Sequence, residues 1–355
     1  MQYTSVPYIR LSQGKLLFYD LLEPSPRSGN VNQKSKKNLS DNKTAGVLSK
    51  SAMKRLSNNI DLWTTALEVK RLKHNYPKSF YNSKITFVTL TLSASQFHSD
   101  LEIKRLMLNP FLTTLKKTKS IKLFIWVAEK QMNQNIHFHI LVDRFIDWHY
   151  ILRIWNNQQK KLGYIDAYRQ NQIEKHKNGI FIEKDKLDKW NFCKQIKAFQ
   201  RGKQENWSNP NSTDIHKIEK VKNIRGYMTK YLTKGFEDKV IKFSAPLIKP
   251  DFCHLHKKYI IAQKRKELKD HLKIEGRLYG RSDLFQLVDF FYLNDLSYSQ
   301  PILNKIINAN LYNYFSNDYC AILSDLDFSS IKKNYPGFYT PIEAHYLKTF
   351  NSLYN

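Results

Sequence analysis

The chain has 355 residues, enough for one large domain or two modest ones, and its 41% apolar content supports a packed core. Its 58 Lys and Arg against 31 Asp and Glu give a formal charge of +27, which points to a polyanionic partner and away from a small-molecule enzyme. Three scattered cysteines (Cys193, Cys253, Cys320) exclude a disulfide framework, and no apolar run is long enough to span a bilayer; Asp283-Leu-Phe-Gln-Leu-Val-Asp289 is broken by acids.

In chain order, Lys15-Leu-Leu-Phe-Tyr19 reads as a short strand. Residues 28–51 form a polar, Gly/Asn/Ser/Lys-rich arm or linker. From Ser51 to about His74 the spacing of Leu56, Ile60, Trp63 and Leu67 predicts a helix. Lys84-Ile-Thr-Phe-Val-Thr-Leu-Thr-Leu92 alternates Thr with apolar residues and is the clearest strand. A basic amphipathic helix through Ile103, Leu106, Met107, Phe111 and Leu115 follows. Two more strands, Lys122–Glu129 and 136–142, flank a polar hairpin loop at 130–135. Asp147 to about Leu162 reads as a helix with Trp148, Ile151, Leu152 and Trp155 inside. The order strand, helix, strand, strand, helix is that of an α+β domain with an antiparallel sheet. Tyr164–Val221 is polar, with room for two short strands and an insertion around 165–220. Lys222–Lys234 reads as a helix stopped by Gly235. His256–Arg281 is strongly basic, and 282–355 is Tyr- and Asn-rich and reads as helical. The expected regions are therefore 1–80, 81–281 and 282–355.

Two segments carry chemistry. In Ile136-His-Phe-His-Ile-Leu-Val-Asp143, a strand puts His137 and His139 on one face and Phe138 on the other. Pairing across the short loop sets Glu129 opposite His137 and Val127 opposite His139. Two imidazoles and a carboxylate suit Mg²⁺, Mn²⁺ or another divalent ion that polarises a phosphate. Strand histidines also occur as packing or surface residues, so the carboxylate at hairpin spacing is what favours a metal. In Asn223-Ile-Arg-Gly-Tyr-Met-Thr-Lys-Tyr-Leu-Thr-Lys-Gly235, a helix aligns Tyr227, Lys230, Tyr231 and Lys234 on one face. Ile224, Met228 and Leu232 form a separate apolar stripe. A phenol is a sluggish nucleophile at neutral pH, and neighbouring ammonium groups favour its ionised form. Cys253-His254-Leu-His256 is a further metal-like pattern, without a second ligand pair at suitable spacing.

Strand 87–92, the His137-Phe-His139 pair and the doubled Tyr-x-x-Lys helix resemble the three ordered motifs of HUH endonucleases. The similarity is to rolling-circle replication initiators of small single-stranded DNA phages of the microvirus type and of related plasmids. It covers roughly 84–235 and extends to Glu275-Gly-Arg-Leu-Tyr-Gly-Arg-Ser282. The resemblance implies a central five-stranded antiparallel sheet flanked by helices, with a basic helical C-terminal extension. It implies Mg²⁺ or Mn²⁺ held by His137, His139 and Glu129. It implies Tyr227 or Tyr231 as the nucleophile that becomes joined to a 5′ phosphate, with Lys230 and Lys234 assisting; Gly226 favours Tyr227. The implied substrate is single-stranded or extruded origin DNA, in a bacterial cytoplasm. No Gly-x-x-x-x-Gly-Lys-Ser/Thr loop is present, so unwinding falls to a host helicase and extension to a host polymerase. No membrane or small-molecule partner is expected. The competing readings are a basic nucleic-acid-binding protein without catalysis, and an HUH relaxase or transposase.

Overall fold

The computed structural model describes residues 5–12, 15–22, 48–131, 133–184, 187, 190–216, 244–247, 253–271, 273–288, 291–293, 313–317, 320–324 and 328–354. Two compact units are formed, one from both ends of the chain (up to Lys84 and from Arg281) and one from its middle (from Ile85 to Gly280). The polar arm expected at 28–51 falls almost wholly outside the described residues, as does the tyrosine helix at 222–234.

In the terminal unit, the hairpin β1 (Ser5–Ser12) and β2 (Lys15–Leu22) joins the sheet through register pairs such as Tyr8 with Tyr19. In the middle unit, β3 (Thr86–Leu90), β4 (Phe124–Lys130), β5 (Ile136–Val142), β6 (Thr213–His216) and β7 (Tyr279–Arg281) form an open five-stranded antiparallel sheet ordered β6-β3-β5-β4-β7. The terminal sheet is completed by β8 (Phe291–Leu293), β9 (Asn313–Asn317) and β10 (Cys320–Ser324), in the order β8-β1-β2-β10-β9. The helical expectation for 282–355 holds for Phe328–Asn334 and Pro336–Tyr354 and not for the strands ahead of them.

Helix Lys50–Lys73 packs against Pro336–Tyr354 in the terminal unit. The fully buried Leu56, Ile60, Trp63 and Leu67 lie on the stripe read from the sequence. Trp63 Nε1 donates to Tyr354 Oη at 2.7 Å, and that hydroxyl donates to Lys84 O at 3.0 Å, so a buried indole and phenol satisfy each other and the backbone.

In the middle unit, one sheet face carries Phe138 and Trp126, which meet edge to face with ring centres 6.2 Å apart. Trp155 of helix Trp148–Lys161 packs on Phe138 (6.2 Å) and on Phe111 of helix Asn109–Lys119 (5.8 Å). The helix leading to Phe111 widens into a π segment at Lys104–Leu108. Ile103, Met107, Phe111 and Leu115 are buried, whereas Leu106, expected on the same stripe, is 38% exposed. Trp148 is half-exposed because it sits at the helix start, where its Nε1 donates to Thr213 O at 3.3 Å. The segment 164–210 holds two helices, Tyr164–Lys175 and Phe192–Gln204, in place of the two short strands expected there. β6 is the one strand between 164 and 216 among the described residues.

β7 lies beside β4 at Gly280. A Cβ at this position would stand 2.4 Å from Trp126 Nε1 and 2.7 Å from its Cε2. Trp126 is buried and cannot give way. Gly280→Ala is expected to cost about 1–3 kcal/mol through overpacking. The measurement is urea unfolding, and an unchanged midpoint would remove this account of Gly280.

Candidate metal centre

The site stands on the sheet face opposite Phe138. β4 and β5 pair with Glu129 across from His137 and Val127 across from His139, the register expected of a short loop. Polar side chains around the loop hold that register. Lys130 Nζ donates to Asp100 Oδ1 (2.8 Å) and Gln134 O (2.8 Å). Gln96 Oε1 accepts from Ile136 N at 2.7 Å, and Gln96 N donates to Asn135 Oδ1 at 2.8 Å. The carboxylate of Asp100, buried to 4% exposure, also accepts from Glu275 N at 3.1 Å. Lys104 reaches Glu275 O; burial pushes its ammonium down to about 8 against the opposing pull of Asp100.

Glu129 Oε2 lies 3.1 Å from His137 Nε2 and 3.1 Å from His139 Nε2. The ligand atoms of all three residues fall within 4.8 Å of one another, and no other such group occurs among the described residues. Adjacent donors on an octahedral ion with bonds of 2.0–2.1 Å are about 3 Å apart, so the carboxylate–imidazole spacings fit a shared divalent cation. Two nitrogens and one oxygen favour Mn²⁺ over the harder Mg²⁺.

His139 is buried, stacked on Phe87 with centroids 5.7 Å apart and planes at 10°. Its Nδ1 lies 3.1 Å from Thr89 Oγ1 on β3, opposite it in register. The hydroxyl donates to Nδ1 when Nε2 carries the proton, and accepts from Nδ1–H when Nε2 ligates a cation. His137 Nδ1 is buried without a hydrogen-bond partner among the described residues, so a side-chain hydroxyl fixes the tautomer of His139 alone.

Of the residues singled out in the sequence, Glu129, His137 and His139 come together. Tyr227, Lys230, Tyr231 and Lys234 lie outside the described residues. Cys253 and helix His254–His271 expose Cys253, His254 and His256 without assembling a ligand set. Two residues on the triad's face were missed. Thr89 hides in the Thr/apolar alternation that marks any half-buried strand. Asp214 pairs with Thr89 from β6, in a segment with no readable period, and adds an exposed carboxylate to the row Val127–His139–Thr89–Asp214.

Residues 85–236 match the family model for replication-associated proteins of the ORF2 type. The match spans less than half of the chain and includes the whole β3–β6 region with the triad. It agrees with the resemblance to Rep-type replication initiators and gives this segment a replication-associated role. No curated protein and no solved structure matches the chain. Among the described residues, no helix is long and apolar enough to cross a membrane.

Thr89→Val keeps the shape and removes the hydroxyl, so it is expected to weaken Mn²⁺ binding roughly 10-fold or more, and Glu129→Ala further still. Titration calorimetry with the full chain reads both; equal affinity in Thr89→Val would mean the threonine does not orient the ligand.

Proposed function

We propose that the protein initiates rolling-circle DNA replication by nicking and rejoining single-stranded origin DNA. The observation that carries this reading is the Glu129–His137–His139 triad, with both 3.1 Å spacings, inside the segment that matches a replication-associated family. A bound Mg²⁺ or Mn²⁺ would withdraw charge from the scissile phosphate. The phenol oxygen of Tyr227 or Tyr231 attacks phosphorus, the P–O3′ bond breaks, and the 3′ oxygen leaves as a free hydroxyl that primes synthesis. Lys230 and Lys234, each three residues after a tyrosine, favour the phenolate and neutralise the phosphate. The 5′-phosphotyrosine link keeps the phosphodiester's energy, so reversal by an incoming 3′-OH rejoins the strand without ATP. Host polymerase and helicase are the proposed partners.

Two imidazoles and a carboxylate also hold Fe²⁺ in oxygenases. The charge of +27 and the replication-associated match favour phosphate chemistry instead. A passive binding protein has no use for a converging ligand set two strands wide, which is the observation against the non-catalytic reading. Relaxases and transposases share the proposed chemistry and differ in the DNA they act on.

Incubation of a labelled origin oligonucleotide with protein and Mn²⁺, run on a denaturing gel, is expected to give a covalent protein–DNA band. Tyr227→Phe with Tyr231→Phe should abolish the band, and His137→Ala should reduce it by orders of magnitude while DNA binding persists. A band that survives the double tyrosine change sinks the phenol mechanism; cleavage undiminished in EDTA sinks the metal's part.

A further inference from the structure

A polar cavity opens within the middle unit, away from the triad. It measures about 670 Å³ and lies between helices Tyr164–Lys175 and Phe192–Gln204, with Leu92 and Ser93 lining it where β3 runs out. We propose that this cavity receives an unpaired base of single-stranded DNA, with the flanking phosphates on its basic rim.

Four observations converge. The first is ring geometry. His176 and Trp207 stack with centroids 5.1 Å apart and planes at 5°, and Phe199 closes on His176 at 4.9 Å. Trp190 and Phe181 also line the space and stay 36% and 54% exposed, presenting rings that packing alone would have buried. Burial and Lys175 hold the His176 imidazole below its usual range, so the stack is neutral at pH 7.

The second is charge. Lys175, Lys194, Lys197 and Arg201 line the cavity against one carboxylate, Glu205. Lys175 is taken up by Glu183, but among the described residues no carboxylate pairs with Lys194, Lys197 or Arg201. Interleaved rings and cations are the composition that holds unpaired strands: every base has a face to stack, and every nucleotide has a phosphate.

The third is backbone strain. Asn206 (φ 49°) and Trp207 (φ 54°) both adopt the left-handed region, which L side chains disfavour. The bend turns the indole onto Gly202, where a Cβ would stand 2.0 Å from Trp207 Cζ3. Arg169 Nε donates to Asn206 O at 3.1 Å and fixes the bend. Two strained non-glycine residues in succession, facing the one residue type that lets the ring in, mark this indole's position as functional.

The fourth is placement. Leu92 follows Thr89 by three residues, about 10 Å along an extended chain. Thr91 N donates to Ser212 O at 2.9 Å, so the entry to β6 borders the same end of the sheet. A strand with one phosphate at the triad therefore brings a neighbouring nucleotide to the cavity. This last step rests on the proposed nicking reaction; base binding itself does not. A volume of this size suits a nucleotide, and a base still paired in a duplex does not enter a recess.

The test is binding of a fluorescent (dT)15 to the full-length protein in EDTA, read by anisotropy, where no cleavage intervenes. Trp190→Ala and Trp207→Ala should each weaken (dT)15 binding about tenfold and leave a duplex of equal length nearly unaffected. Gly202→Val, which displaces the indole without touching charge, should behave like Trp207→Ala. Trp190 is exposed, so its variant reads the cavity even if Trp207→Ala fails to fold. Photocrosslinking of 5-iodouracil-substituted DNA to wild-type protein should label the peptide spanning 190–207. Unchanged (dT)15 affinity in Trp190→Ala with no crosslink in 164–211 overturns the proposal. So does equal loss for duplex, or binding of oligo(rU) in preference to (dT)15.

Discussion

The pairing register of β4 against β5 is the constraint on which the site depends. Side chains alternate along a strand, so a slip of one residue would turn His137 and His139 into the helix-covered face and Phe138 out of it. Two unlike forces hold the register. On one face, Phe138, Trp126, Trp155 and Phe111 form a buried aromatic cluster that only one alignment satisfies. At the loop, Gln96 and Asp100 bind Lys130, Asn135 and Ile136 from outside the hairpin. The apolar face selects the alignment, and the polar contacts fix the loop geometry that sets Glu129 over both imidazoles.

The hairpin was legible in the sequence because its two periods agree. β-branched and aromatic residues alternate with the chemistry-bearing ones, and a six-residue polar loop fixes which residues face each other. Thr89 was not singled out, since its role as partner of His139 Nδ1 needs β3 to lie beside β5, and nothing local to 84–92 states that. Leu106 was misplaced because a π segment breaks the 3.6-residue period on which its position was read.

The insertion shows the opposite limit. Helix Tyr164–Lys175 buries only Tyr164 and Ile165 among its twelve residues, so it leaves no apolar stripe to find. Its neighbour Phe192–Gln204 buries only Gln195, whose amide bonds Glu183 and Trp190 main-chain groups in place of an apolar contact. The left-handed pair Asn206 and Trp207 lies where a reader expects glycine and finds none. Polar side chains also hold the floor: Gln159, fully buried, accepts from Ser93 N at 2.7 Å and donates to Ser212 Oγ at 2.9 Å. Hydrogen-bonded architecture of this kind has no hydropathy signature.

The terminal sheet joins a hairpin made first to strands and helices made last: β2 pairs with β10, and Lys50–Lys73 packs on Pro336–Tyr354. During synthesis the ribosome therefore holds the opening hairpin and its long helix without their partners until nearly the whole chain has emerged. The middle unit, whose described residues are contiguous in order from Ile85 to Gly280, has all its pieces earlier. A ribosome stalled late in translation would display a finished central sheet beside an unfinished terminal one, and damage to either end of the polypeptide would be felt at the other.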